Sequence, residues 1–164
     1  MFSIRPARTS DVVQIRAICE PLVEKRILLG KELVELYESI QEFVVAESEG
    51  KVIGCGALHV IWQDLAEVRT VAVDQNHHRH GIGAAILREL LERARLLGIH
   101  RVFCLTFETK FFASHGFEPI SDVPVDAQTY AELVRSNDEG VAEFLDLARV
   151  KQNTLGNTRM LKKL

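Results

Sequence analysis

The sequence predicts an α+β domain around one mixed sheet. Three observations predict it. Helical periodicity runs through the first forty residues, three strand-like segments follow as a meander, and a strand–helix–strand unit comes next. Strands joined by short turns pair antiparallel, whereas a helical crossover returns the chain for parallel pairing. At 164 residues the chain has the length of a single domain, 1–164.

The elements follow in order. Phe2–Ala7 alternates as a first strand. Thr9, Ser10 or Asp11 can cap a helix with Val12, Ile15, Ile18, Cys19 and Leu22 at helical spacing. Pro21 predicts that this helix ends or kinks there. A second helix is predicted within Leu28–Ile40, with Leu33, Leu36, Tyr37 and Ile40 on one face. Phe43–Trp62 reads as two strands joined by a turn at Glu49–Gly50, and Leu65–Val73 as the third strand of the meander. The helix Ile82–Leu97 carries Ile82, Ile86, Leu87, Leu90, Leu91, Ala94 and Leu97, and Gly98 ends it. Arg101–Phe107 is a near-continuous apolar run, as a buried parallel strand shows. A short helix before Gly116, helical patterns at Ala127–Arg135 and Glu139–Leu147, and a last strand at Thr158–Leu164 complete the chain.

Composition narrows the function classes. With 47% hydrophobic residues the chain can bury a sizeable core. A net charge of -3 argues against nucleic acid as the main partner. Three widely spaced cysteines without a CxxC pair suit a reducing cytoplasm and argue against a disulfide framework or zinc site. No apolar run implies a membrane span, and the N-terminus lacks a signal core. His77, His78 and His80 fall in a polar turn without a nearby cysteine, so no metal is expected there. His59 and His115 read as structural, and Cys55 as a small core residue.

The chemistry points to Arg69–Leu91. A strand ends in a polar turn with Gly81 and Gly83, and a helix opens directly after it. Backbone N–H groups left unpaired at such a helix start converge with its dipole on an anion, and phosphate fits. His78, Arg79 and His80 can add side-chain donors. The turn lacks the Lys-Ser or Lys-Thr of a nucleotide-triphosphate loop, and Ile86 breaks the dinucleotide glycine pattern.

The stretch VAVDQNHHRHGIGAAIL resembles the acetyl-CoA pyrophosphate loop of the GCN5-related N-acetyltransferase (GNAT) superfamily, with His78 where that pattern has Gln or Arg. The segments FFASHGF and FVVAESEGKVIGCGALH resemble the family's late short helix and its meander. The whole chain also resembles the short N-acetylglutamate synthases of actinobacteria. The resemblance implies the GNAT fold, a mixed, mostly antiparallel sheet flanked by helices. It implies acetyl-CoA as co-substrate, an amino-acid acceptor, a cytoplasmic enzyme of arginine biosynthesis, and a homodimer as the superfamily's usual state. Other acceptors, L-glutamine among them, and a non-catalytic acyl-CoA-binding module are the rival readings.

Roles follow residue by residue. The resemblance places acetyl-CoA along Val71, Ala72 and Val73, whose backbone would hold its arm and carbonyl, and on His78, Arg79, His80, Gly81, Ile82, Gly83 and Ala84, with Phe112 nearby. Glu67, in an apolar strand, is the candidate base, because burial raises a carboxyl's proton affinity. Many family members carry a tyrosine acid where this chain has Phe111 and Phe112. Thr106 falls where N-acetylglutamate synthases place a hydroxyl, and the resemblance makes it the candidate proton relay to the leaving sulfur. An anionic acceptor calls for cations. Lys31 stands where longer relatives carry an acceptor-binding arginine, with Leu29 and Arg26 close in sequence. Arg69 shares a strand face with Glu67 by period-2 spacing. Thr70, Asn157, Thr158 and Arg159 complete the acceptor set that the resemblance implies.

Overall fold

The structure, a computed structural model, describes residues 1–146 and 156–164. Its elements are β1 (Ser3–Pro6), α1 (Val12–Glu24), α2 (Leu33–Glu38), β2 (Phe43–Ser48), β3 (Lys51–Trp62), β4 (Leu65–Val73), α3 (Ile82–Leu96), β5 (Arg101–Thr106), α4 (Thr109–Ser114), β6 (Glu118–Pro119), α5 (Ala127–Leu133), α6 (Glu139–Phe144) and β7 (Thr158–Lys163). Seven strands form one sheet in the order β1-β2-β3-β4-β5-β7-β6. Only β4 and β5, linked by α3, run parallel; the other neighbours are antiparallel. This is the mixed, mostly antiparallel sheet the sequence predicts.

Period-2 alternation assigns the two faces. In β2, Val44 and Ala46 join the core under α3, whereas Phe43 and Val45 join the core under α1 and α2. Buried on both faces, the strand reads as a continuous apolar run. The α3 residues Ile82, Ile86, Leu87, Leu90, Leu91 and Ala94 are all buried. A third cluster packs Leu133, Val141 and Phe144 of α5 and α6 against Leu65, Phe103 and Leu161 of the sheet. Phe103 alternates with Val102 and Cys104 of the α3 core, so α5 and α6 lie on the face opposite α3.

One expectation shifts. Of the end or kink predicted at Pro21, the end comes three residues later, since α1 runs on to Glu24. Pro21 stands in the last turn, where its missing N–H costs one bond, and its own carbonyl still accepts the Lys25 N–H at 3.3 Å. The two-residue strand β6 has no alternation to reveal it in the sequence. The last helical pattern is α6, Glu139–Phe144, and its predicted end Leu147 lies outside the described residues. Among the described residues, no helix is long and apolar enough to cross a membrane.

Candidate active site

The sheet opens where β4 and β5 part. Their parallel pairing covers Leu65–Arg101, Ala66–Val102 and Glu67–Phe103 and goes no further. A bulge in β4 adds to the opening. Between the pairs Cys55–Ala72 and Ala57–Arg69, β4 has one residue more than β3. Thr70 takes up the excess with φ 57, in the left-handed region, and its carbonyl accepts the Cys55 thiol at 3.4 Å. A mostly apolar cavity of about 430 Å³ fills the gap, walled by Val68–Val73 on one side and Cys104–Glu108 on the other.

The glycine turn closes the foot of this cavity. Gly81 caps α3 with φ 76, a conformation that glycine adopts without strain. Gly81, Ile82, Gly83 and Ala84 line the cavity, so the start of a fifteen-residue helix faces it. Phe111 lies 3.7 Å from the place where a Gly83 β-carbon would stand. These are conditions under which backbone amides receive a phosphate. Asp74 N–H donates to Ile53 across the β3 edge. Successive strand residues point their backbone groups to opposite edges, so Val73 turns its N–H and carbonyl toward the gap. The His78 Nε2 lies 3.1 Å from the Val73 carbonyl and is the donor, because a carbonyl only accepts.

A second, polar cavity of about 370 Å³ meets the first at Ile27, Leu28, Arg69, Thr70 and Leu105. Glu67 lines this second cavity and Thr106 the first. Glu67 is 4% exposed. Its Oε1 accepts Arg69 Nε at 2.9 Å and Nη2 at 2.5 Å, which leaves Oε2 to take a proton. Arg69 also gives Nη1 and Nη2 to the Asp138 oxygens at 2.8 and 2.7 Å. Burial lifts the Glu67 carboxyl above its ordinary range; Arg69 pulls against this and Asp138 adds to it. Burial opposes ionisation of Asp138, but the Arg69 bonds outweigh it and hold that carboxyl well below its ordinary range. Across β3, His59 Nδ1 lies 2.9 Å from Glu42 and its Nε2 3.6 Å from Asp138.

The remaining sequence candidates divide. Lys31, Leu29, Thr70 and Asn157 line the polar cavity, and Asn157 donates to Glu143 at 2.7 Å. Arg69 lines it too, but the donors expected to grip an acceptor carboxylate go to Glu67 and Asp138. Arg26 is exposed in the turn after α1, with φ 60, and lines neither cavity. Arg159 donates to the carbonyls of Phe144 and Ser121 at 2.9 and 2.8 Å and lines neither cavity, so it ties α6 to the sheet. Thr158 pairs in the β5–β7 ladder with Thr106, which lines the apolar cavity, and is itself in neither lining. Val71, Ala72, Val73, His78, Arg79 and Phe112 line the apolar cavity, whereas His80 is exposed outside its lining. Ile82 is 2% exposed and puts its side chain into the core beneath α3. Thr106 Oγ1 accepts the Glu108 N–H at 2.8 Å. Among the described residues, no group of three His, Cys, Asp or Glu could hold a metal ion.

Asp138, Gly140 and His59 complete the cluster around Glu67, and sequence reasoning did not place them there. Asp138 two residues before Gly140 carries a helix-cap signal, and it caps α6 by accepting Val141 N–H at 3.0 Å. No local pattern shows that this cap reaches Arg69.

An apolar groove ending at a helix start, joined to a polar cavity with a buried carboxylate, suits acyl transfer from a phosphate-bearing carrier. Residues 12–117 match the Acetyltransferase (GNAT) family, and the chain belongs to it. It is an acyltransferase. The relatives make the class narrower. The Amino-acid acetyltransferase of Mycobacterium tuberculosis is 58% identical over 161 residues, 96% of this chain and 92% of that protein. The crystal structure of Rv2747 from Mycobacterium tuberculosis in complex with CoA is 57% identical, with a TM-score of 0.95 over 99% of both chains. The N-acetylglutamate synthase of Neisseria gonorrhoeae, complexed with coenzyme A and N-acetyl-glutamate, is 27% identical with a TM-score of 0.80. The match covers 100% of this chain but 35% of that longer one.

Proposed function

We propose that this single N-acetyltransferase domain, residues 1–164, moves the acetyl group of acetyl-CoA to the α-amine of L-glutamate. It would thus act as an N-acetylglutamate synthase in the first step of arginine biosynthesis. The observation that carries the reading is the position of Glu67, buried beside the joint of an apolar and a polar cavity. The relatives' activities supply the acceptor class.

The chain's residues divide the work. The backbone at Gly81–Ala84 would bind the pyrophosphate, with Arg79 beside it, and the apolar walls from Val71 to Val73 and at Phe112 would hold the arm. The thioester supplies the activated acetyl group. An α-amine is mostly protonated at neutral pH, so Glu67 takes its proton, directly or through a water, and leaves it nucleophilic. The Val73 N–H, turned to the gap, donates to the oxygen on which charge develops. Thr106 spends an acceptor site on the Glu108 N–H and keeps its own proton, which it gives toward the departing sulfur. Transfer is direct. Cys55 is 0% exposed, and the neighbouring Cys19 together with burial raises its proton affinity, so it is a poor nucleophile.

One observation favours L-glutamine over L-glutamate: Arg69, a cation expected to receive a second acceptor carboxylate, already bridges the carboxylates of Glu67 and Asp138. We place the enzyme in the cytoplasm, where free thiols persist: Cys19, Cys55 and Cys104 are all unlinked.

The test is thiol release from acetyl-CoA with a panel of amino acids. Turnover with L-glutamate or L-glutamine supports an amino-acid acceptor, and their ratio of kcat/KM decides between them. Turnover only with unrelated amines would remove the pathway. No turnover with any amine, together with intact CoA binding, would turn the reading to an acyl-CoA-binding module.

A further inference from the structure

The Arg69 guanidinium joins two elements that the sequence motifs do not connect. On one side it gives Nε and Nη2 to Oε1 of Glu67 in β4. On the other it gives Nη1 and Nη2 to the two oxygens of Asp138, the cap of α6. The Arg69 side chain is 13% exposed and the Glu67 side chain 6%, so water screens this bridge little. The first turn of α6 is also a wall of the acceptor cavity, through Asp138, Glu139 and Gly140. A fork held at both ends fixes a guanidinium plane, and with it the carboxylate it grips.

We propose that Asp138 is a positioning residue for acyl transfer: through Arg69 it fixes the orientation of Glu67 and seats the α6 wall of the acceptor cavity against the base. The inference rests on reading Glu67 as the base. Asp138 touches neither substrate in this account and acts through Arg69. The groups that face Glu67 are Arg69 on its own strand, His59 opposite it in β3, Asp138 from α6 and Cys104 from β5. Removing the Asp138 charge leaves the Arg69 cation acting on Glu67 without its counter-charge, which lowers the proton affinity of Glu67. Removing the Arg69 charge raises it. An ion pair that only stabilises the fold would lower melting temperature without moving a pH profile in opposite directions.

The experiment compares pH–rate profiles of the wild type, Asp138→Asn and Arg69→Gln, with Glu67→Gln run alongside. Asparagine keeps the shape of Asp138 and can still cap α6. Both bridge variants should lose about tenfold or more in kcat, with KM for acetyl-CoA within about twofold of wild type. The acidic limb of kcat/KM should move to lower pH in Asp138→Asn and to higher pH in Arg69→Gln. Limbs that stay in place, limbs that move the same way, or an unchanged kcat in Asp138→Asn would overturn the proposal. Should Arg69→Gln not fold, Arg69→Lys keeps the charge and loses the fork; a wild-type kcat there would also overturn it. Turnover that survives Glu67→Gln would sink the base reading instead, so the two failures are separable.

Discussion

Gly140 of α6 lies so close to Glu67 that a β-carbon at position 140 would overlap the Glu67 Oε1 and come within 2.8 Å of Arg69 Nη2. The helix can form a wall of the polar cavity because this position carries no side chain. Backbone closeness and the Asp138–Arg69–Glu67 bridge therefore belong to one arrangement.

Gly140→Ala should push Glu67 and Arg69 out of register while leaving the glycine turn at Gly81 and Gly83 untouched. The expected cost is about 1–3 kcal/mol of stability from overpacking. Turnover should fall about tenfold or more, because a shift near 1 Å at a reacting group has that effect. Thermal melts and steady-state kinetics check both. A variant with wild-type kcat would mean that the close approach has no bearing on the chemistry.

Gly81→Val tests the turn at the foot of the cleft. Nothing lies within 4 Å of the added β-carbon, so the cost comes from φ 76 alone. A β-branched residue in that region costs about 1–2 kcal/mol. If the turn relaxes to avoid this, its amides turn away and CoA affinity falls. Calorimetric titration with CoA should show weaker binding, and unchanged affinity would remove the turn from the binding site.

Thr106→Val removes the hydroxyl that would protonate the leaving sulfur, while Thr106→Ser keeps it. If Thr106 is the relay, Thr106→Val should lower kcat about a hundredfold. Thr106→Ser should recover most of that rate and also keep an acceptor for the Glu108 N–H. Equal rates in the two variants would remove Thr106 from the chemistry.

Stability should depend on pH through Asp11. This carboxylate, 5% exposed in its side chain, accepts both Nη atoms of Arg5 and the Arg8 N–H. The Arg5 bonds first, against the opposing effect of burial, and then the Arg8 N–H hold its proton affinity below the ordinary value of 3.8. A carboxyl depressed in the folded state adds stability above its unfolded pKa, and that stability is lost as pH falls through the folded pKa. Asp11→Asn should therefore cost about 2 kcal/mol at pH 7, as hydrogen bonds to charged groups do. The gap to wild type should close in strong acid. Urea unfolding at both pH values measures it, and a gap independent of pH would contradict the assignment.

Much of the fold was legible because its signals are local. The alternation of Leu65–Val73 and the helical spacing from Ile82 to Leu96 are written within single elements. Pro21 misled because the rule against proline in helix interiors relaxes in the last turn. The partners of the cations were hidden for another reason. Arg69 and Arg159 look available in sequence, but the fold sets Asp138 beside one and the carbonyls of Phe144 and Ser121 beside the other. The bulge at Thr70 was hidden as well, since one extra residue shows only against the partner strand. The glycine turn was legible because its glycines and its helix are contiguous, whereas the surroundings of Glu67 come from β3, β4 and α6 together.

The most direct test of the central claim is acetyl-CoA-dependent thiol release by Glu67→Gln with the preferred amino acid, with CoA binding measured on the same protein. Glutamine keeps the size of the side chain and removes its capacity to take a proton. The account predicts intact CoA binding and a kcat lower by about a hundredfold or more near neutral pH, with part of the rate returning as pH rises and the amine loses its proton unaided. Wild-type turnover in this variant would contradict Glu67 as the base.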